Sequence, residues 1–187
     1  MTPPMADFRL ITEACAAVRN LDGDAIELGV YRGMSAAWIC DALAPTTVWL
    51  LDTFTGMPKP THTLDGCHLG QFGETDVDVV RSAMGTRTNF RICPGLFADT
   101  LPQLTIDRLK FAHIDCDLHD STEQAIEWVW PRLVAGGRVV CDDYHGACCR
   151  GATLALDRFR ANRTDCEAII GKAVRMVLIK TGGTHGN

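Results

Sequence analysis

Apolar runs alternate with amphipathic stretches along this chain, and that alternation constrains the fold more than any single motif does. Asp24 to Leu28 (DAIEL) reads as a buried strand closed by Gly29, and Met34 to Leu43 then keeps helical spacing until Pro45 stops it. Thr47 to Leu51 (TVWLL) predicts a second strand. After a Gly- and Pro-rich loop from Thr53 to Glu74, Val77 to Met84 predicts a helix and Asn89 to Cys93 a third strand. A helical turn around Asp99 to Leu104 leads to a fourth strand, Lys110 to Ile114. Asp120 and Ser121 offer N-cap side chains to a helix that runs to about Leu133, shortened by Pro131 and broken by Gly136-Gly137. Arg138 to Cys141 predicts a fifth strand, and Cys149 to Asn162 a helix with Ala152, Leu156 and Phe159 on one side. Glu167 to Ile170 and Arg175 to Ile179 are joined around Gly171-Lys172, which is hairpin length and too short for a parallel crossover.

Repeated β-α units ending in a hairpin predict an α/β fold. Its sheet is mostly parallel with an antiparallel C-terminal strand, and helices cover both faces. One domain is expected over residues 1–187, with 1–23 as a short helical cover and 53–76 as a variable loop. A chain of 187 residues, 47% hydrophobic and 22% charged, can bury roughly 70% of its unfolded surface and needs no staples. Its net charge of −5 and lack of any basic run argue against nucleic acid or an anionic membrane as partner. The absence of a long apolar run and of a signal-like opening makes a cytoplasmic location the expectation. The nine cysteines are odd in number and include no C-x-x-C pair, so most read as small buried hydrophobes. A small molecule is the expected ligand.

In such sheets ligands sit outside the carboxyl ends of the strands, so the strand exits carry the functional reading. The first exit, Glu27-Leu28-Gly29-Val30-Tyr31-Arg32-Gly33-Met34-Ser35, is E-x-G-x-x-x-G and lacks the closely spaced glycines of a pyrophosphate turn. It suits a ligand without phosphates, or is simply a tight turn. Asp52 ends the second strand where nucleotide-binding folds place an acid on ribose hydroxyls, although an Asp here also caps loops. Gly95-Leu96-Phe97 could give an adenine a flat apolar wall, with Phe97 as a core residue the alternative. Asp115-Cys116-Asp117 and Asp142-Asp143-Tyr144-His145 end the fourth and fifth strands. If those strands lie side by side, about 4.8 Å apart, Asp115, Asp142 and Asp143 come within reach of one ion. Carboxylates without paired Cys or His ligands suit Mg²⁺ or another hard divalent cation. His119 and His145 each follow an acidic exit and could act as a base, whereas His113 reads as a core or helix-facing histidine.

On the stretches AIELGVYRGMSA, LLDTFTGMP, GQFGET, GLFADTLP, HIDCDLHDST, LVAGGRVVCDDYHGACCRGA and RMVLIK, the chain resembles the macrocin O-methyltransferase (TylF-type) family. Those enzymes transfer a methyl group from S-adenosylmethionine to sugar hydroxyls in natural-product assembly. The resemblance covers nearly everything from Ala25 onward. It implies a seven-stranded class I methyltransferase fold of order 3-2-1-4-5-7-6, with Mg²⁺ held by Asp115, Asp142 and Asp143. It also implies that the first-exit loop (Glu27, Gly29, Val30, Tyr31, Gly33, Ser35) holds the methionine part of the cofactor. Asp52 would bind its ribose, Gly95 and Phe97 its adenine side, and Asp115 would face it. Asp115 becomes the expected base, with His145 or His119 the runner-up. Three departures stand out. The usual G-G-S of the first loop is Gly33-Met34-Ser35, a Tyr common after D-x-D is His119, and the N-terminal part is short, so that the lid is expected to be reduced or supplied by a partner subunit. The sequence leaves open a homodimer, an aromatic-diol acceptor, and a cofactor-binding protein without activity.

Overall fold

The computed structural model describes residues 8–171 and 175–182. Seven strands form one sheet: β1 (Asp24–Leu28), β2 (Val48–Asp52), β3 (Phe90–Pro94), β4 (Leu109–Ile114), β5 (Leu133–Cys141), β6 (Cys166–Ile170) and β7 (Met176–Lys180). Their order is β3-β2-β1-β4-β5-β7-β6. All neighbours are parallel except β7, which runs antiparallel to both β5 and β6. The order reverses between β1 and β4, and the exits on either side of that reversal form the crevice where such sheets bind ligands.

Period-two alternation along the strands divides the core into two layers. Ile26 and Leu28 of β1, Ala112 and Ile114 of β4, and Val139 and Cys141 of β5 face helices α5 (His119–Arg132) and α6 (Arg150–Arg160). Ala25, Leu50, Phe111 and Val140 face α1 (Arg9–Val18), α2 (Met34–Leu43) and α3 (Val77–Met84). By the same alternation Glu27 and His113, paired in register, project to the second face. A short α4 (Phe97–Thr100) and a 3-10 turn (Leu101–Gln103) fill the predicted helical turn before β4. Among the described residues no helix is long and apolar enough to cross a membrane.

Two local readings need correction. Helix α5 starts at His119, preceded by Leu118 with no side-chain cap, and the Asp120 carboxylate is drawn instead to the side chains of Thr61 and His119. The helix ends at Arg132, one residue beyond Pro131, whose missing N–H removes one i→i−4 bond from the last turn. Gly136 and Gly137 then lie within β5, whose register against β4 jumps from Leu109↔Leu133 to Phe111↔Arg138, with Gly136 at φ +81° supplying the kink. The connection between β6 and β7 has hairpin length as expected, while Lys172 lies outside the described residues.

Candidate active site

Backbone hydrogen bonds carry the sheet one step past its named ends and set the exits in a row. Gly29 N–H bonds Leu51 O, Asp115 N–H bonds Leu28 O, and Asp142 N–H bonds Ile114 O, each at 2.9 Å. Gly29 cannot be another residue without disturbance. Its φ is +89°, and a Cβ there would lie 1.8 Å from the carbonyl oxygen of Asp115. The first exit therefore passes directly over the fourth.

Asp52 locks the first and second exits together. Its Oδ2 accepts the N–H groups of Val30 (2.7 Å) and Tyr31 (2.9 Å), and its Oδ1 accepts that of Phe54 (2.9 Å). A long contact from Thr53 Oγ1 to Oδ1 (3.4 Å) takes the fourth of a carboxylate's roughly four acceptor sites, so a ligand hydroxyl would have to displace it. Tyr31 sits at φ +51° with its ring edge-on to Phe72, 5.4 Å between centroids, and its carbonyl accepts the Thr75 hydroxyl. These contacts bring the far end of the 53–76 loop over the first exit.

A cavity of about 800 Å³ opens between these exits, within the size range of small-molecule sites. Of the residues expected at a cofactor, Gly29, Val30, Tyr31, Ser35, Asp52, Gly95, Phe97 and Asp115 line it. Glu27 and Gly33 do not. The Glu27 side chain is fully buried and its Oε1 holds His113 Nδ1 at 2.8 Å, while Gly33, at φ +82°, turns the chain into α2 against Val80. His113 itself is buried as expected of a core histidine, yet it also reaches the cavity wall. Strand alternation could have placed it there, because residues 113 and 115 of one strand share a face.

The acids divide into two electrostatic groups. Burial works against ionising Asp142, but His113 and Arg175 outweigh it and hold this carboxyl below the usual carboxylate range. Arg175 grips both oxygens, the Nη2 contact measuring 3.0 Å, and His113 Nε2 stands 3.7 Å away. Burial would pull His113 down, yet its neighbours Asp142 and Glu27 push it up to about 10, so the ring is an imidazolium at neutral pH. Burial and the charges of Asp143 and Asp142 push Asp115 well above the usual range, and burial with Asp117 raises Asp143 to about 7. Among the described residues, the oxygens of Asp115, Asp142 and Asp143 do not all lie within 4.8 Å of one another. Asp115 and Asp142 face the cavity. Asp143 does not line it; its Oδ2 accepts the Asp117 N–H at 2.9 Å.

Neither exit histidine offered as a base reaches the cavity. His145, at φ +67°, donates its N–H to Thr153 Oγ1 (2.9 Å) and lines a separate shallow recess with Arg150 and Asp157. His119, the first residue of α5, shares a 2.7 Å hydrogen bond with Asp120 Oδ1 and stacks on His62 at 4.3 Å. Arg175, read from the sequence only as the start of a strand, is the cation that the reading missed. Nothing in RMVLIK marks it, because its importance comes from β7 inserting beside β5.

A sequence profile described as macrocin-O-methyltransferase (TylF) matches residues 4–173. The mycinamicin III 3''-O-methyltransferase of Micromonospora griseorubida is 34% identical over 157 residues, covering 73% of this chain and 61% of that protein. The 8-demethyl-8-(2,3-dimethoxy-alpha-L-rhamnosyl)-tetracenomycin-C 4'-O-methyltransferase of Streptomyces olivaceus is 34% identical over 151 residues, 71% of this chain and 57% of that one. The chain thus spans about three fifths of the length of the curated relatives it matches. The solved structure of the O-methyltransferase NovP superposes with a TM-score of 0.83 at 28% identity, covering 94% of this chain and 79% of that one.

Proposed function

Since the chain belongs to the macrocin-O-methyltransferase (TylF) family, we propose that it transfers the methyl group of S-adenosylmethionine to a sugar hydroxyl of a glycosylated natural product. One observation carries the reading: a single cavity holds the phosphate-free Gly29 turn, the Asp52 carboxylate and the acidic exits of β4 and β5. The relatives that act on sugars attached to larger scaffolds support the acceptor class.

A sulfonium methyl is already activated, so the protein has to align the acceptor oxygen with the S–CH₃ bond and take up its proton. The O–C bond forms as the S–C bond breaks, leaving S-adenosylhomocysteine. The loop from Gly29 to Ser35 would hold the methionine part, Asp52 a ribose hydroxyl in place of the long Thr53 contact, and Gly95 with Phe97 the adenine. Asp115 is the proposed proton acceptor. Its raised proton affinity suits it to receive a proton from an attacking hydroxyl better than an ordinary surface carboxylate would. Imidazolium His113 fixes Asp142 beside it.

The finer part of the proposal is a hard divalent cation. The acidic donors suit one in chemistry, because burial and mutual repulsion raise the proton affinity of Asp115 and Asp143 and a cation would relieve that repulsion. Asp115, Asp142 and Asp143 would hold the ion once Asp143 turned from the Asp117 N–H and Asp142 from Arg175. When bound, the cation would supply Lewis-acid polarisation of the acceptor hydroxyl.

The test is transfer of labelled methyl from S-adenosylmethionine to macrolide and polyketide glycosides with free sugar hydroxyls, in Mg²⁺ or in chelator. Label on a sugar oxygen is expected, with loss of turnover in chelator. Asp142→Asn should lower turnover about 100-fold or more while leaving cofactor affinity nearly unchanged. Full turnover in chelator would remove the metal, and label on an aromatic hydroxyl alone would overturn the acceptor class.

A further inference from the structure

We propose that Cys67, Cys149 and Asp117 bind a thiophilic divalent cation of the zinc class, which clips the 53–76 loop to the exits of β4 and β5. This goes beyond methyl transfer and stands on a convergence of its own. Among the described residues these three are the one set whose potential ligand atoms all lie within 4.8 Å of one another. They come from three segments far apart in sequence, which is why no C-x-x-C spacing announced them.

The protein holds the three in place by other means. Gly66 N–H bonds Cys148 O at 2.8 Å, and Asp65 pairs with Cys149 in an isolated antiparallel bridge, so Cys67 is carried to Cys149 by backbone. Asp117 sits at φ +59°, and its Oδ1 accepts the Cys149 S–H at 3.3 Å. Holding a non-glycine residue at positive φ costs energy, and here that conformation aims a carboxylate at a thiol. Cys149 is buried and Cys67 half-buried, which sets this group apart from an exposed acidic patch.

Charge favours a cation here. The carboxylates of Asp117 and Asp143 stand beside these thiols. A doubly charged ion would be drawn to them and would displace the two thiol protons, which pass to solvent. Zinc bonds of about 2.3 Å to sulfur and about 2.0 Å to oxygen require only a small contraction of the group, and a water can fill the fourth position. Thiolate ligands select zinc over magnesium, so this ion is chemically distinct from the hard cation proposed for the cavity. A Cys67–Cys149 disulfide is the competing outcome. It needs a two-electron oxidant, which the reduced chain is not given.

The test uses the full chain, reduced and stripped with chelator, then titrated with Co²⁺ as the spectroscopic probe. A sulfur-to-cobalt charge-transfer band should saturate at one ion per chain, yield to Zn²⁺ and resist excess Mg²⁺. It should vanish in Cys67→Ser and in Asp117→Asn, persist in Cys148→Ser, and Zn²⁺ should protect the 53–76 loop from protease. Cys67 and Asp117 are only half-buried, so a fold check by circular dichroism separates loss of the site from unfolding. No charge-transfer band, a band that survives both variants, or a chain isolated with Cys67 and Cys149 already joined would overturn the proposal. Cofactor affinity is measured separately by calorimetry, so failure here is distinguishable from failure of the methyltransferase reading.

Discussion

At the residue scale, the site depends on a few side chains and one missing Cβ. Gly29→Ala would press a methyl into the Asp115 carbonyl at a positive φ, and we expect it to cost about 3 kcal/mol or more in urea unfolding. Asp52→Ala leaves the Val30 and Tyr31 N–H groups without their acceptor as well as removing the proposed ribose contact. Cofactor affinity should fall about tenfold or more by calorimetry, which is about 1.4 kcal/mol. The Glu27–His113 pair is buried, so His113→Leu would strand Glu27 and cost about 3–5 kcal/mol, with Glu27→Gln/His113→Leu recovering part of the loss. Because His113 is raised to about 10, its contribution is complete below the ordinary histidine value of about 6.5 and is lost as pH climbs toward about 10. Urea midpoints of the protein and the double variant should therefore converge across that alkaline window. Gly29 and Asp52 were legible because each follows a strand directly. His113 was half legible: burial was foreseen, but its position on the cavity wall needed the shared face of residues 113 and 115 to be used.

At the element scale, the 53–76 loop is held over the site by specific attachments. Asp65 Oδ1 accepts the His119 N–H at 3.0 Å, and Gly151 leaves the room for that carboxylate, since a Cβ there would lie 1.9 Å from it. Asp65→Ala should release the loop, seen as faster proteolytic cleavage within 53–76 and a raised acceptor KM, with cofactor affinity unchanged. Most strands and helices were legible from apolar periodicity to within about two residues, whereas β5 begins at Leu133 and not at Arg138. The places that were not are those where tertiary contact overrode a local signal. Asp120 was free to cap α5 but is drawn to Thr61 and His119, and Gly136-Gly137 looked like a helix stop but kinks a strand.

At the scale of the whole molecule, the sheet order puts the reversal point between β1 and β4, and the cavity lies over it. The acidic exits were readable because Asp115-Cys116-Asp117 and Asp142-Asp143 end two strands that the crossover rule sets side by side. Their division into Asp142, kept ionised by His113 and Arg175, and Asp115, whose proton affinity is raised by burial and by its acidic neighbours, was not, because it depends on Arg175 arriving from the C-terminal hairpin. The Cys67–Asp117–Cys149 convergence was equally hidden, since it needs a loop, a strand exit and the start of a helix to meet. The central claim is that this cavity receives a sulfonium nucleoside, and calorimetric titration of S-adenosylmethionine into the protein and into Asp52→Ala tests it most directly. The account predicts saturable binding of one molecule per chain, weakened about tenfold in the variant. Absence of binding, or equal affinity in both proteins, would contradict it.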